Sequence, residues 1–558
     1  MKKILTLFFV TLIGITHAQK KQQTGDAYKI TYLKSSNGKV TENQDPIIIF
    51  TNATETLLTS QNTIAGKNAF PYEQSLVDHL QNKYFQIGQL DKRKTVSTLD
   101  SISLPKQSFE ITNETKIILG YKCQKAKTII NSNHIDLWFT SDLKIKGAPT
   151  LLGQNLGLVL EMNRNNNFVV SATKIEKLKK TEKFPTVKIE NSVDLLSYRD
   201  LLWKSRFTTL KIFENEIINF SDAAKSNDSI LRFANGTIIL KKVKFPEIKS
   251  GNQIFIDLAE QSNGDAYDRT GSVFMIPANT KISFLDGLKN GVKALPIYEN
   301  GNGKQYQGVV KTNDYSPLLE LMRFFTPFGI KQYNHIQLKD KTWHEVVPYR
   351  QDISELHAAL SNQEVWIGAT IGNYDKGGHK ISMNITIHNE ENSTSKNNFL
   401  LPLFNTVNVM EMAGQEYGSM FNSEKGLLVE FTLEKDIKNA KLRYITTGHG
   451  GWENGDEFVP KKNTILLNEK EINSFIPWRQ DCGSYRLFNP ASGNFNNGLS
   501  SSDYSRSNWC PGTVTNPNSI DLGDLKAGNH SIRIKIPQGA PEGNSFSAWN
   551  VSGVLIGE

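Results

Sequence analysis

Two stretches of this sequence stand out, each setting carboxylates near an arginine, aromatic rings and glycine. One is Asp265-Ala266-Tyr267-Asp268-Arg269-Thr270-Gly271, ahead of the apolar run 272–277. The other is Gly448-His449-Gly450-Gly451-Trp452-Glu453-Asn454-Gly455-Asp456-Glu457, followed by Cys482 and by Arg506-Ser507-Asn508-Trp509-Cys510-Pro511-Gly512. Aromatic faces pack on the apolar faces of pyranose rings, Arg and Asn hold hydroxyls, and carboxylates move protons, so these residue types suit a site that handles sugars. The glycine-rich stretch also reads as a plain β-turn, and Asp268 with Arg269 as a surface ion pair of little energetic weight.

The elements that must position these residues are mostly strands. Apolar residues recur at period two, as in Ile381, Met383, Ile385 and Ile387, and in Ile532, Ile534 and Ile536, with turn residues between the runs. That pattern predicts an all-β chain of antiparallel sheets. Helical spacing is confined to Ile353, Leu356 and Leu360, and to residues 192–206. In the first stretch, strict alternation would send Tyr267 and Arg269 to one face and Asp268 to the other, unless a bulge re-aims them. The lysine-rich run 174–188 and the helical run after it read as a connection, and the Asn/Ser-rich run 389–398 cannot bury a core. The expected units are therefore a β-rich domain at 20–185, a curved or bowl-like sheet, then sandwich domains at 205–390 and 396–558.

Residues 1–18 carry Lys2 and Lys3, the apolar run 4–15 and a small-residue end at Ala18, which reads as a secretory signal peptide. A secreted or periplasmic protein is expected, with no membrane span. The 64 Lys and Arg against 56 Asp and Glu are scattered, so no nucleic-acid partner is expected. Of the 3 cysteines, Cys482 and Cys510 enclose a Gly/Ser/Asn-rich loop that has little apolar content to hold itself. A bridge there would stabilise it by roughly 3 kcal/mol, and the pair is expected to be bonded. Cys123 is left as a buried strand thiol. The 10 histidines include no His-x-His pair, which weighs against a copper site, and His344-Glu345 lacks the second histidine of a zinc-protease helix. Gly301-Asn302-Gly303 opens no helix and is not a phosphate loop, and no Gly-x-Ser-x-Gly elbow occurs.

Tyr267-Asp268-Arg269 before a strand, Gly455-Asp456-Glu457-Phe458 ahead of Asn463-Thr464-Ile465, and Arg506-x-x-Trp509-Cys510-Pro511-Gly512 with Cys482 upstream together resemble the peptide:N-glycosidase F family over about 209–558. The resemblance implies two eight-stranded antiparallel jelly rolls with a site between them. It also implies hydrolysis of the amide joining asparagine to the first N-acetylglucosamine of an N-glycan. By resemblance Asp268 is the principal catalytic acid and Glu457 a second catalytic carboxylate, while Tyr267, Arg269, His449, Trp452, Arg506 and Trp509 match substrate-contacting positions. No cofactor or metal is implied, and the expected partners are N-glycosylated peptides and glycoproteins, met by a monomer. In 20–185, Leu119-Gly120-Tyr121-Lys122-Cys123-Gln124-Lys125-Ala126, Asp136-Leu137-Trp138-Phe139-Thr140 and the run 147–160 resemble the GLPGLI family of secreted β-proteins.

The chain departs from the family pattern in two ways. A Thr-Glu-Thr-Trp stretch that carries a third site carboxylate falls on Ala369-Thr370-Ile371-Gly372, so the acid and the tryptophan are absent. Asp375 in the following loop would then stand in, Asp456 or Glu453 is the alternative to Glu457 in its role, and the smaller Thr370 and Gly372 would widen the pocket toward core-substituted glycans. The family's two short-range disulfides are also missing. A site short of one carboxylate leaves a second reading open, a non-catalytic glycan-binding protein of the same fold.

Overall fold

The computed structural model describes residues 26–179, 181–278, 280–336, 338–388, 398–450, 455–492, 495, 497–540 and 547–558. Residues 1–18, read above as a signal peptide, and most of the expected boundary at 389–398 lie outside them. The chain divides into two compact units, 1–206 and 207–558.

The first unit is built on one 13-stranded sheet, antiparallel except where Ser192–Val193 runs parallel to Thr95–Asp100. Its centre pairs Tyr28–Ser36 with Phe168–Lys177 on one side and Ile47–Thr51 on the other. Ile30, Tyr32, Ile49, Leu158, Leu160 and Cys123 form the main core, and the Cys123 thiol is fully buried on Tyr121–Ile130 as expected of a small hydrophobe. The helix Leu195–Lys204 starts where the Asp194 side chain accepts from the Ser197 amide, and it packs Tyr198 and Leu202 on Leu90 and Val96.

The second unit holds two sandwiches. In the first, a four-stranded sheet ordered Phe207–Ile218, His379–His388, Gln253–Ser262, Val347–Asp352 faces a six-stranded sheet. The six-stranded order is Leu231–Phe233, Ile238–Lys244, Glu364–Ile371, Thr270–Ile276, Leu319–Phe325, Thr513–Thr515. Alternation along His379–His388 is complete: Ile381, Met383, Ile385 and Ile387 point into the core against Ile254, Ile256 and Ile367. Thr270–Ile276 and Leu319–Phe325 are central strands with both faces buried, the second even though it carries Glu320 and Arg323. The second sandwich sets Phe399–Asn405, Ala548–Gly557, Ile437–His449 and Asn518–Leu525 against Leu427–Leu433, Gly528–Lys535, Asn463–Leu467 and Lys470–Phe475. Leu442, Tyr444, Ile465, Ile532 and Leu555 fill its core.

Two features join the sandwiches and fix the site. Thr513–Thr515, from the C-terminal half of the sequence, pairs with Leu319–Phe325 as the edge of the first sandwich's sheet. Beside it lies a fully buried ion pair, Arg323 with Glu320 at 2.7 Å, whose remaining hydrogen-bond capacity is met by Ser272, Ser552, Thr447 and the Asn550 carbonyl. Charges buried this deeply are tolerated because each is paired and hydrogen-bonded. No helix among the described residues is long and apolar enough to cross a membrane.

Candidate active site

Asp268 sits in the loop that leaves Gln253–Ser262 and enters Thr270–Ile276. The loop is pinned at both ends. The amides of Asn263 and Asp265 donate to the Gly378 carbonyl at 2.8 and 3.3 Å, and Arg269 and Thr326 exchange two hydrogen bonds of 2.9 Å. Gly378 is at φ +61°, and a Cβ there would lie 2.2 Å from the Ile218 carbonyl oxygen, so only glycine fits this anchor. Residues 265–269 form no strand, and Tyr267 to Arg269 are therefore not sorted onto alternate faces as strict alternation expects. The loop sets them individually: Tyr267 is exposed, the Arg269 guanidinium lies 5.5 Å from its ring, and the Asp268 side chain keeps 19% of its surface in water. Burial raises the Asp268 pKa above the ordinary carboxylate value, against the pull of Arg506 and Arg269.

The opposite wall comes from the second sandwich and its long loop. The Ser507 amide donates to the Glu457 carbonyl at 2.9 Å, and Arg506 exchanges backbone hydrogen bonds with Arg479. These contacts lay the Arg506 side chain, 1% exposed, between two carboxylates: Nη1 meets Glu457 Oε1 and lies 3.8 Å from Asp268 Oδ2. Its Nη2 donates to the Ser501 carbonyl and hydroxyl at 3.1 and 2.7 Å, and its guanidinium covers the Trp509 ring at 4.5 Å and Phe458 at 5.0 Å. Burial lowers the Arg506 pKa to about 10, with Asp268 opposing, which leaves it cationic at neutral pH. The expected bridge is present: Cys482 and Cys510 are bonded, with Cα atoms 5.1 Å apart, and close the loop that carries Arg506.

Trp509 is a support for other side chains. It is 4% exposed, donates Nε1–H to the Gly448 carbonyl at 2.9 Å, and stacks between Arg506 and Phe325. His449 ends Ile437–His449 beside it, with Nε2 2.7 Å from the Thr447 hydroxyl. Burial, then the charges of Arg323 and Arg506, drop its pKa to about 3, so it is a neutral imidazole. Trp452 lies outside the described residues.

Asp268 and Arg269 open onto a pocket of about 460 Å³ that is also lined by Gly372, Tyr374, Glu411 and His449. A Cβ added to Gly372 would touch Glu411 Oε2 and the Thr270 carbonyl oxygen at 3.9 Å, an ordinary van der Waals contact, so a methyl group fits here with Glu411 bounding the space. Asp375 is not at its wall: its carboxylate accepts from the amides of Gly377 and Gly378 at 2.7 and 2.8 Å and so shapes the loop. Asp456 is fully buried, engaged by the Gly539 amide and by Trp549 Nε1 at 2.8 Å. The acid that does reach the pocket is Glu411, which the sequence reading passed over. It begins the 3₁₀ turn Glu411–Ala413, accepts from the hydroxyls of Tyr374 and Tyr417 at 2.8 and 2.6 Å, and takes a bond from Asn408. Its one sequence signal is an acid between Met410 and Met412. Among the described residues, no group of three or more His, Cys, Asp or Glu is placed to hold a metal ion.

Family comparison divides the chain into three matched regions. "N-glycanase peptide, N-terminal domain" matches 30–200, "Peptide-N-glycosidase F, N terminal" matches 209–387, and "Peptide-N-glycosidase F, C terminal" matches 416–556. The structure of PNGF-II in a C2 crystal is 58% identical over 96% of this chain and 98% of that one, with a TM-score of 0.88. PNGF-II in a P21 crystal is 59% identical over 95% and 99%, with a TM-score of 0.87. PNGase F, a glycosylasparaginase from Flavobacterium meningosepticum, is a distant likeness at 15% identity over 63% and 96%, with a TM-score of 0.42. No curated protein matches the chain.

Proposed function

Because the chain belongs to the peptide-N-glycosidase F family, we propose that it is an amidohydrolase that cleaves the bond between an asparagine side chain and the innermost N-acetylglucosamine of an N-linked glycan. The observation that carries this reading is the Arg506 guanidinium held between the Asp268 and Glu457 carboxylates, beside the pocket that Asp268 lines. Asp268, with its pKa raised by burial, takes a proton from the water that attacks the amide carbonyl. Arg269 donates to the oxyanion that develops there, and Glu457 fixes Arg506 and holds the water. When the carbon–nitrogen bond breaks, the Asp268 carboxyl returns its proton to the leaving nitrogen. The products are an aspartyl peptide and a glycosylamine, which then loses ammonia in water.

Glu411, with Tyr374 and Tyr417, serves as the third polar wall of the sugar pocket. The small residues Thr370 and Gly372, both on the pocket wall, favour glycans substituted on the core sugar, including core α1,3-fucosylated ones. A secreted or periplasmic location, resting on the pattern of residues 1–18, and a monomeric state belong to the same proposal. A non-catalytic glycan-binding protein is the second reading, but binding alone gains nothing from a desolvated carboxylate facing an arginine. The test is glycan release from plain and core-fucosylated N-glycopeptides by the wild type and by Asp268→Asn. Release that falls about a thousandfold in the variant supports catalysis. Intact glycopeptide with both proteins, retained on immobilised enzyme, would favour the binding reading.

A further inference from the structure

Behind the Asp268 loop lies a buried charge cluster that no step above uses. His379 begins His379–His388, opposite Ser262 in the neighbouring strand and diagonal to Glu260, and is wholly buried. Its Nδ1 lies 2.8 Å from Glu260 Oε1 and its Nε2 3.4 Å from Asp265 Oδ2, with both acids at most 2% exposed. A neutral imidazole has one N–H, and a carboxylate at each ring nitrogen is matched only by the imidazolium. Asp265 in turn grips Arg269 through Nε at 2.6 Å and Nη2 at 3.0 Å. Two carboxylates and two cations then balance, whereas an uncharged His379 would strand a negative charge in the interior.

We propose that His379 is a positioning residue: as an imidazolium it clamps Glu260 to Asp265, and through Asp265 it holds the Arg269 guanidinium at the mouth of the pocket beside Asp268. The proposal rests on the amidohydrolase reading for its catalytic consequence. Other groups around the imidazole fit the assignment. On Val347–Asp352, the Tyr349 hydroxyl lies 3.4 Å from Glu260 and donates to the Phe325 carbonyl at 2.8 Å, and burial keeps this phenol protonated. On the other flank, Phe207–Ile218 sets Ile218 opposite His379 and turns Glu216 toward Arg232. Burial opposes a charge on His379, yet hydrogen bonds to Asp265 and Glu260 and their charges outweigh it and raise its pKa to about 9. Burial likewise opposes the Asp265 charge, but His379 and Arg269 hold its carboxyl well below the usual carboxylate range.

The test combines nitrogen-15 histidine NMR of the wild type with glycan release across pH by the wild type, His379→Gln and Glu260→Gln, the fold being checked by circular dichroism. His379 is expected to be doubly protonated at neutral pH and to titrate near 9. His379→Gln should lower kcat by roughly 10- to 100-fold with little change in KM, up to the scale of the loss when a positioned group shifts by about an ångström. Removing the Glu260 charge lowers the His379 pKa, so Glu260→Gln should move the alkaline fall in activity to lower pH. A neutral His379 at neutral pH overturns the clamp whatever the release assay gives, including with an inactive wild type, which would fail only the amidohydrolase reading. Folded variants with wild-type kcat and an unmoved alkaline limb overturn it as well, and if His379→Gln does not fold, the NMR and Glu260→Gln still decide.

Discussion

Arg506 is the residue on which both walls of the site converge, and its geometry depends on a planar fork. It meets Glu457, approaches Asp268, donates twice to Ser501 and stacks on Trp509. A lysine offers one point charge and no stacking face. Arg506→Lys should therefore lower kcat/KM about 100-fold, equivalent to roughly 2.7 kcal/mol of transition-state stabilisation, in a steady-state assay of glycopeptide hydrolysis. Asp268 shows the reverse side of such a site. Its pKa is raised in the folded state, so its contribution to stability is complete below the unfolded-state value and is lost as pH rises through the folded one. Asp268→Asn should accordingly melt higher than the wild type at neutral pH, by roughly 1–3 °C in a unit of this size, and the gap should close in acid. Asp268, Glu457 and Arg506 were legible as acids and an arginine in aromatic, glycine-rich settings. Glu411 was not, because an acid between two methionines names no chemistry by itself, and its hydrogen bonds to Tyr374 and Tyr417 fix it at the pocket.

Among the elements, the disulfide-closed loop 482–510 has the largest part in the site. Among its described residues it holds two 3₁₀ turns, Cys482–Phe488 and Ser501–Asp503, packs Phe488 on the first sandwich's core and Phe495 on Tyr504, and must present Arg506. The two cysteines are 28 positions apart, a loop whose closure is worth roughly 3–4 kcal/mol. Replacing both by serine should lower the melting temperature and reduce glycan release more steeply than the melting shift implies, measured together on the same preparation. Release unchanged in the double variant would show that the loop keeps Arg506 in place without its bridge. The strands were readable because alternation survives wherever one face is buried, as along His379–His388. Period two gave the wrong answer at Tyr267 to Arg269, where the backbone is held by Gly378 and Thr326, contacts distant in sequence that no local pattern announces.

At the scale of the molecule, the chain carries two compact units with separate cores, and the site described here lies wholly within 207–558. The all-β class could be read from periodicity and turn residues. The pairing of Thr513–Thr515 with Leu319–Phe325, which brings Arg506 toward Asp268, could not, because it joins strands nearly two hundred positions apart. The most direct measurement is mass spectrometry of an N-glycopeptide incubated with the full-length protein in water enriched in heavy oxygen. Asparagine converted to aspartate with one heavy oxygen in the peptide, and a free glycan carrying its complete core, is the result expected of water attacking the side-chain amide. A peptide that keeps its asparagine, whether the glycan stays on or is trimmed to leave a sugar behind, would contradict it.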